Sequence, residues 1–186
     1  MRGPFHDPKF QNCKAPRLET QRLVLRHVEP RDVVYFAEVH GDEEVSRYLG
    51  GPMAREDAWR RAMTGAGFWG VLGIGLWAIE RRSDAQTIGH VGFFDFQRDI
   101  EPPIAGEPEM GWIVGRDAQG QGYAIDACRA ALEWFDARFQ PMSIPAIISP
   151  ENVASTRLAE RLGFERQPNA RYRNEEIALF RRPARD

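Results

Sequence analysis

The period of the hydrophobic positions changes repeatedly along this chain, and each change marks an element. Over residues 18–28, Leu23 and Leu25 alternate with Arg22, Val24 and Arg26, the two-residue period of a strand. Glu29 and Pro30 open a helix, with the proline in the first turn, where its missing N–H costs nothing, and Gly41 ends it. Asp42 starts a short helix to Tyr48, stopped by Gly50, Gly51 and Pro52. A third helix is expected from about residue 54 to 64, with Gly65 and Gly67 fraying its end. Residues 75–81 and 87–96 read as a hairpin about a turn at 82–85, and Gly89 and Gly92 mark places where another backbone comes close. A proline-rich loop at 99–108 leads to a strand at 109–114. From Tyr123, the spacing of Ile125, Cys128, Leu132 and Phe135 predicts a helix to about Phe139. A strand at 142–149 interrupted at Pro145, a helix at 151–162 closed by Gly163, and strands at 164–167 and 172–181 complete the chain. The order is mixed α+β, with a mostly antiparallel sheet flanked by helices.

The most informative junction runs from Glu109 to Ala124. Glu109, Gly111 and Ile113 should face one side of the strand, and Met110, Trp112 and Val114 the other. Gly120 and Gly122 then allow a tight turn into the long helix, whose first N–H groups lack partners and whose dipole is positive at that end. Such a turn suits an anion such as a pyrophosphate, or it merely starts a helix. It is not a Walker loop, because Tyr123 and Ala124 stand where Lys and Ser/Thr are needed. It is not the dinucleotide fingerprint, because Ile125 stands where that pattern has a small residue.

Composition narrows the class. The chain has 186 residues, 42% hydrophobic and 28% charged, with a net charge of −2. That suits one soluble domain at 17–186 and gives no pull toward nucleic acid or an anionic membrane. Residues 1–16 are polar and proline-bearing and read as a tail, without the apolar stretch of a secretion signal. Cys13 and Cys128 do not suggest a disulfide framework, so a reducing cytoplasm is the expected setting. His6, His27, His40 and His90 lack metal-ligand spacing, and no metal is expected.

The segment Gln119-Gly120-Gln121-Gly122-Tyr123-Ala124 fits Gln/Arg-x-x-Gly-x-Gly/Ala. With Glu109-Met-Gly-Trp-Ile-Val114 before it, residues 152–164 after it and residues 20–26 near the start, it resembles the GNAT superfamily of N-acetyltransferases. The subgroup it looks like is the RimJ/RimL type, which acetylates ribosomal-protein N-termini. The resemblance spans roughly residues 18–182. It implies a single α+β domain with a splayed strand pair at an acetyl-CoA site, and transfer of acetyl from acetyl-CoA to a primary amine by direct attack in a ternary complex. The acceptor would be a protein N-terminus or a small amine, with no nucleic acid or membrane partner and a homodimer left open. The alternative is a non-catalytic acyl-CoA-binding module of the same fold.

Residue by residue, the resemblance gives the pyrophosphate to backbone amides of Gln119, Gly120, Gln121, Gly122, Tyr123 and Ala124. The pantetheine arm would lie beside Ile113 and Val114, with a backbone N–H there facing the thioester oxygen. Asn152 would touch that arm, and Ser155 would lie near the sulfur as the nearest hydroxyl to act as acid. As capping residues, Asn152 and Ser155 also have a purely structural reading. Glu109 is the candidate base, directly or through one water, and reads equally as a salt-bridged strand carboxylate. Asp126 replaces the Glu common to the subgroup and receives no role. Arg22, Arg26, Arg157 and Arg161 could reach phosphates but read as solvated faces. Trp77, Phe93, Phe94 and Phe96 read as sheet core. The acidic stretch of Asp95, Asp99, Glu101, Glu107 and Glu109 suggests a path for a cationic amine, or simply solvated loop carboxylates.

Overall fold

The computed structural model describes residues 14–184. Cys13, His6 and most of the expected tail lie outside the described residues. The end of the tail that is described is docked: the Pro16 carbonyl accepts a hydrogen bond from Trp77 Nε1 at 2.8 Å, and Ala15 packs against the core.

One antiparallel sheet has the order β1 (Leu18–Glu19), β2 (Leu23–Arg26), β3 (Leu76–Arg81), β4 (Gln86–Phe94) and β6 (Glu109–Val114). A second has the order β5 (Ile100–Glu101), β9 (Ala170–Tyr172), β10 (Glu175–Arg182) and β7 (Ile144–Ile148), with β8 (Glu165–Arg166) also on β10. Strands β6 and β7 run side by side, yet no ladder joins them, so the two sheets splay apart there. The mixed α+β architecture and the splayed pair are those expected.

Helices cover both faces. On one face α4 (Tyr123–Arg138) and α5 (Val153–Arg161) enclose the main core, which includes Trp77, Phe93, Met110, Val114 and Phe135. On the other, α1 (Val33–Gly41) and α3 (Arg55–Leu72) pack Tyr35, Phe36, Val39 and Ala62 against Leu76 and Phe94. The short α2 (Glu43–Ser46) is capped by Asp42, whose side chain accepts from Glu44 N and Val45 N.

Three expectations are corrected. The first strand is broken at Thr20. Its hydroxyl accepts from Leu23 N at 2.9 Å and Arg22 N at 3.2 Å, which turns the chain so that β1 folds back on β2. Helix α3 does not fray at Gly65 but continues to Leu72 and ends at Gly73, at φ 68°. A Cβ on Gly65 would lie 2.9 Å from Leu76 Cβ, so the glycine is what lets the helix sit on β3. The loop at 99–108 contributes β5, paired to β9 through Ile100 and Tyr172; two residues are too few to show a period.

Arg26 is also corrected. It is 5% exposed, with its guanidinium forked onto Asp32 at 2.9 Å and bonded to Glu80 at 2.7 Å. Burial works against its charge, yet these hydrogen bonds raise its pKa and hold the Asp32 carboxyl below its usual range. It is a structural clamp and not a phosphate contact. Trp77, Phe93 and Phe94 are core, but Phe96 is exposed.

Candidate active site

The site is built on the edge that β6 leaves open. Gly115 N donates to Ile88 O at 2.9 Å, and Gly89 faces Val114 in the ladder. In an antiparallel pair, bonded and non-bonded positions alternate. Gly111 and Ile113 therefore direct their N–H groups toward β4. Met110, Trp112 and Val114 direct theirs to the unpaired side, between β6 and β7. Of the two strand positions expected to meet an extended arm, Val114 has this orientation and Ile113 does not. Trp112, which the sequence reading passed over, does. The signal was available, because the register follows once β4 and β6 are paired at Gly89.

Side chains follow the expected alternation. Met110, Trp112 and Val114 belong to the main core, while Ile113 packs on the α1–α3 side. On that side Gly111 leaves a hollow, since a Cβ there would meet only Phe94, at 3.5 Å.

Beyond β6, a 3-10 turn (Arg116–Ala118) leads into the glycine loop. Gln119 Nε2 donates to Val114 O at 3.1 Å and ties the loop to the strand end. Gly120 and Gly122 have φ of 73° and 77°, left-handed values that admit glycine readily. Among the described residues, Gly120, Gln121, Gly122, Tyr123 and Ala124 donate no backbone hydrogen bond, so their N–H groups stand free at the start of a 16-residue helix. Free N–H groups at a helix start are a setting that favours an anion.

Arg22 stands beside it. Its guanidinium donates to Gln121 O at 2.9 Å and to Asp126 Oδ2 at 2.6 and 2.9 Å, and lies over the Tyr123 ring at 4.7 Å. The side chain is 42% exposed, so an incoming phosphate could still reach it. Asp126, to which no role was given, aims this arginine. The turn at Thr20 puts Arg22 there, and no local pattern announces such a contact across the fold.

On the far side of the cleft, Asn152 caps α5 through Oδ1, which accepts from Ser155 N at 3.0 Å. Among the described residues, its amide nitrogen makes no hydrogen bond. Ser155 lies in the first turn of α5 and is half-buried. Arg157 and Arg161 are exposed on the same helix.

Glu109 is 6% exposed, and Arg98 holds both of its oxygens, at 2.6 and 3.0 Å. Arg98 also donates to the Tyr172 hydroxyl at 3.1 Å and lies over the Phe96 ring at 4.6 Å. The acidic stretch is largely spent on the protein itself. Glu107 pairs with Arg181, and Asp95 takes the Gln97 side chain and the Gly106 N–H. Of that stretch, Asp99 and Glu101 remain exposed.

Behind the hollow, His90 and His40 lie with ring centroids 5.4 Å apart, and the Tyr35 hydroxyl is 3.3 Å from His90 Nδ1. Burial lowers the His40 pKa to about 4, helped by the charge of Arg61, and pushes His90 well below its usual value. Both imidazoles are neutral at pH 7. Among the described residues, no group of three or more His, Cys, Asp or Glu is placed to hold a metal, and no helix is long and apolar enough to cross a membrane.

A family model described as the acetyltransferase (GNAT) domain matches residues 22–165. The chain belongs to the GNAT acetyltransferase family. The Bacillus subtilis protein YkkB is 30% identical over 176 residues, covering 92% of this chain and 97% of its own length. Other Bacillus relatives are named N-acetyltransferases. The crystal structure of an acetyltransferase from Agrobacterium tumefaciens superposes with a TM-score of 0.77 at 27% identity, over 90% of this chain and 94% of that one. RimL, a ribosomal L7/L12 alpha-N-protein acetyltransferase solved with coenzyme A, shares the fold, with a TM-score of 0.73 at 15% identity, over 90% of this chain and 98% of its own. This GNAT chain is an acetyltransferase, and the reading as a non-catalytic binding module is not favoured.

Proposed function

We propose that this GNAT enzyme takes its acetyl group from acetyl-CoA and transfers it to a primary amine by direct attack in a ternary complex. The observation that carries the reading is the open β6 edge running straight into the free N–H groups of residues 120–124 at the start of α4. An extended arm ending in a pyrophosphate matches a strand edge followed by an anion cradle. Gln119 to Ala124 hold the pyrophosphate, with Arg22 as an added cation. The arm lies along Trp112 and Val114, with Ile113 packing behind them, and the Asn152 amide reaches it from α5. A strand-edge N–H then stands beside the thioester oxygen and steadies the charge that grows there.

The amine nitrogen attacks the carbonyl carbon, the carbon–sulfur bond breaks, and the electron pair leaves on the thiolate. The proton released by the amine passes to Glu109 through one water, on lone pairs that Arg98 leaves unused. Ser155 is the hydroxyl assigned to return a proton to the sulfur. The acceptor enters over Gly111, where the strand has no side chain. A cytoplasmic setting agrees with the use of acetyl-CoA.

Calorimetry tests the cofactor site. Gly122→Val puts a side chain on the cradle, and Arg22→Ala removes the neighbouring cation. In variants with parental circular dichroism, acetyl-CoA should bind at least tenfold more weakly to Gly122→Val, about 1.4 kcal/mol, and several-fold more weakly to Arg22→Ala. Unchanged affinity in both would overturn the reading.

A further inference from the structure

Arginines from α3, the loop after β4 and the β9–β10 hairpin come together on the acceptor side of the cleft. Arg98 is fixed by Glu109, by the Tyr172 hydroxyl, and between the Phe96 and Tyr172 rings, at 4.6 and 5.1 Å. Arg173 lies over the same Tyr172 ring at 5.1 Å. It sits at the tip of the β9–β10 hairpin, where Arg173 and Asn174 have φ of 52° and 67°, so the turn itself folds its side chain back over Tyr172. Arg61 comes from α3, one turn before Gly65 and two before Phe68, whose ring meets Phe94 and Phe96 at 5.9 and 5.5 Å. Its side chain is open to solvent yet surrounded by protein, as in a cleft wall. Burial and the charge of Arg98 both lower its pKa, and the carboxylate acting most strongly on it is Glu109, already committed to Arg98. Among the described residues, neither Arg61 nor Arg173 is held by a hydrogen bond or ion pair. Arg98 and Arg173 therefore stack on one tyrosine, and Arg61 on α3 feels the charge of both, with Glu109, already bonded to Arg98, the carboxylate that acts most strongly on it. Like charges so placed repel one another, and an anion is the natural complement.

We propose that Arg61, Arg98 and Arg173, grouped around Tyr172, form a carboxylate-binding subsite for the acceptor, so that the amine acetylated here belongs to an acidic molecule. This rests on the reading that the acceptor enters over Gly111. Glu109 is three residues along β6 from Trp112, roughly 10 Å. The extended guanidinium side chains cover part of that distance. The carboxylate can therefore sit in a free acidic amino acid or in an acidic residue close to the N-terminus of a peptide. Planar guanidiniums favour a carboxylate through paired N–H···O bonds.

The test uses product-like probes, so it does not depend on turnover. The protein is titrated, with and without CoA, with acetyl-Ser-Glu-Glu-Phe-amide and its Gln-Gln counterpart, and with N-acetylglutamate and its diamide. The acidic member of at least one pair should bind at least fivefold more tightly, and the preferred pair identifies the source. In Arg61→Gln/Arg173→Gln, which alters exposed side chains, that preference should fall below twofold while circular dichroism stays parental. Equal affinity within both pairs, no measurable binding of either acidic probe, or a preference unchanged in the double variant would each overturn the subsite. Acetyl-CoA titration of the same preparations reports separately on the cofactor reading. Loss of acetyl-CoA binding with the acidic preference intact would sink that reading and leave the subsite standing.

Discussion

At the scale of single residues, the site is a set of charges with assigned partners. Arg22 is aimed by Asp126, and Arg98 grips Glu109. The second pair raises a question that kinetics can answer. If Glu109 only positions Arg98, then Glu109→Gln and Arg98→Gln should damage the enzyme alike. If Glu109 is the base, Glu109→Gln should lower kcat by about 100-fold at neutral pH and abolish the acidic limb of the pH profile. Arg98→Gln should keep that limb. Matching pH profiles in the two variants would return Glu109 to a purely structural role. Asn152 shows the same economy: its oxygen caps α5, and among the described residues its amide nitrogen makes no hydrogen bond.

At the scale of elements, glycines decide how closely strands and helices approach, and they do so differently on one face of the sheet. A Cβ on Gly92 would collide with the Gly75 carbonyl and lie 2.9 Å from Leu76 Cα. One on Gly111 would meet only Phe94, at 3.5 Å, an ordinary contact. Gly92→Ala should therefore cost about 1–3 kcal/mol, read as a lower urea midpoint. Gly111→Ala should leave the midpoint near the parental value and raise the acceptor KM by filling the hollow. A large stability loss in Gly111→Ala would refute the open floor. The pairing of β5 with β9 also belongs to this scale, since it brings Tyr172 and Arg173 over the loop that carries Arg98.

At the scale of the whole molecule, two neutral histidines are enclosed between α1 and the sheet. His40 is 1% exposed, and among the described residues both its ring nitrogens lack a partner. Its pKa is lowered from 6.5 to about 4, so the folded state resists a proton that the unfolded chain accepts. The stability it lends is complete above pH 6.5 and is lost as pH falls toward 4. Between pH 6.5 and 5 this amounts to about 2 kcal/mol, and His90 shifts in the same direction. Urea unfolding across that window should show the decline, and His40→Leu should flatten it. A parental slope in the variant would remove His40 as the cause. Cys128 is fully buried and its thiol is pushed up by burial, in keeping with a core packing role.

What the sequence determined by itself is local. The alternation in β6, the helical spacing from Tyr123 and the glycine spacing between them need only neighbours a few residues apart, and they were enough to place the strand, the glycine turn and the family resemblance. Capping by Asn152 is local in the same way. What the tertiary structure decided depends on partners far along the chain. Arg22 meets Gln121 and Asp126 across 99 and 104 residues, and Arg98 meets Tyr172 across 74. Gly65 reads as a helix breaker until β3 is seen against it. Ile113 and Trp112 are indistinguishable as donors until pairing with β4 sets which N–H groups are used. Periodicity records which face of an element is buried; it does not record which element buries it, and that choice arranges the charges of the site.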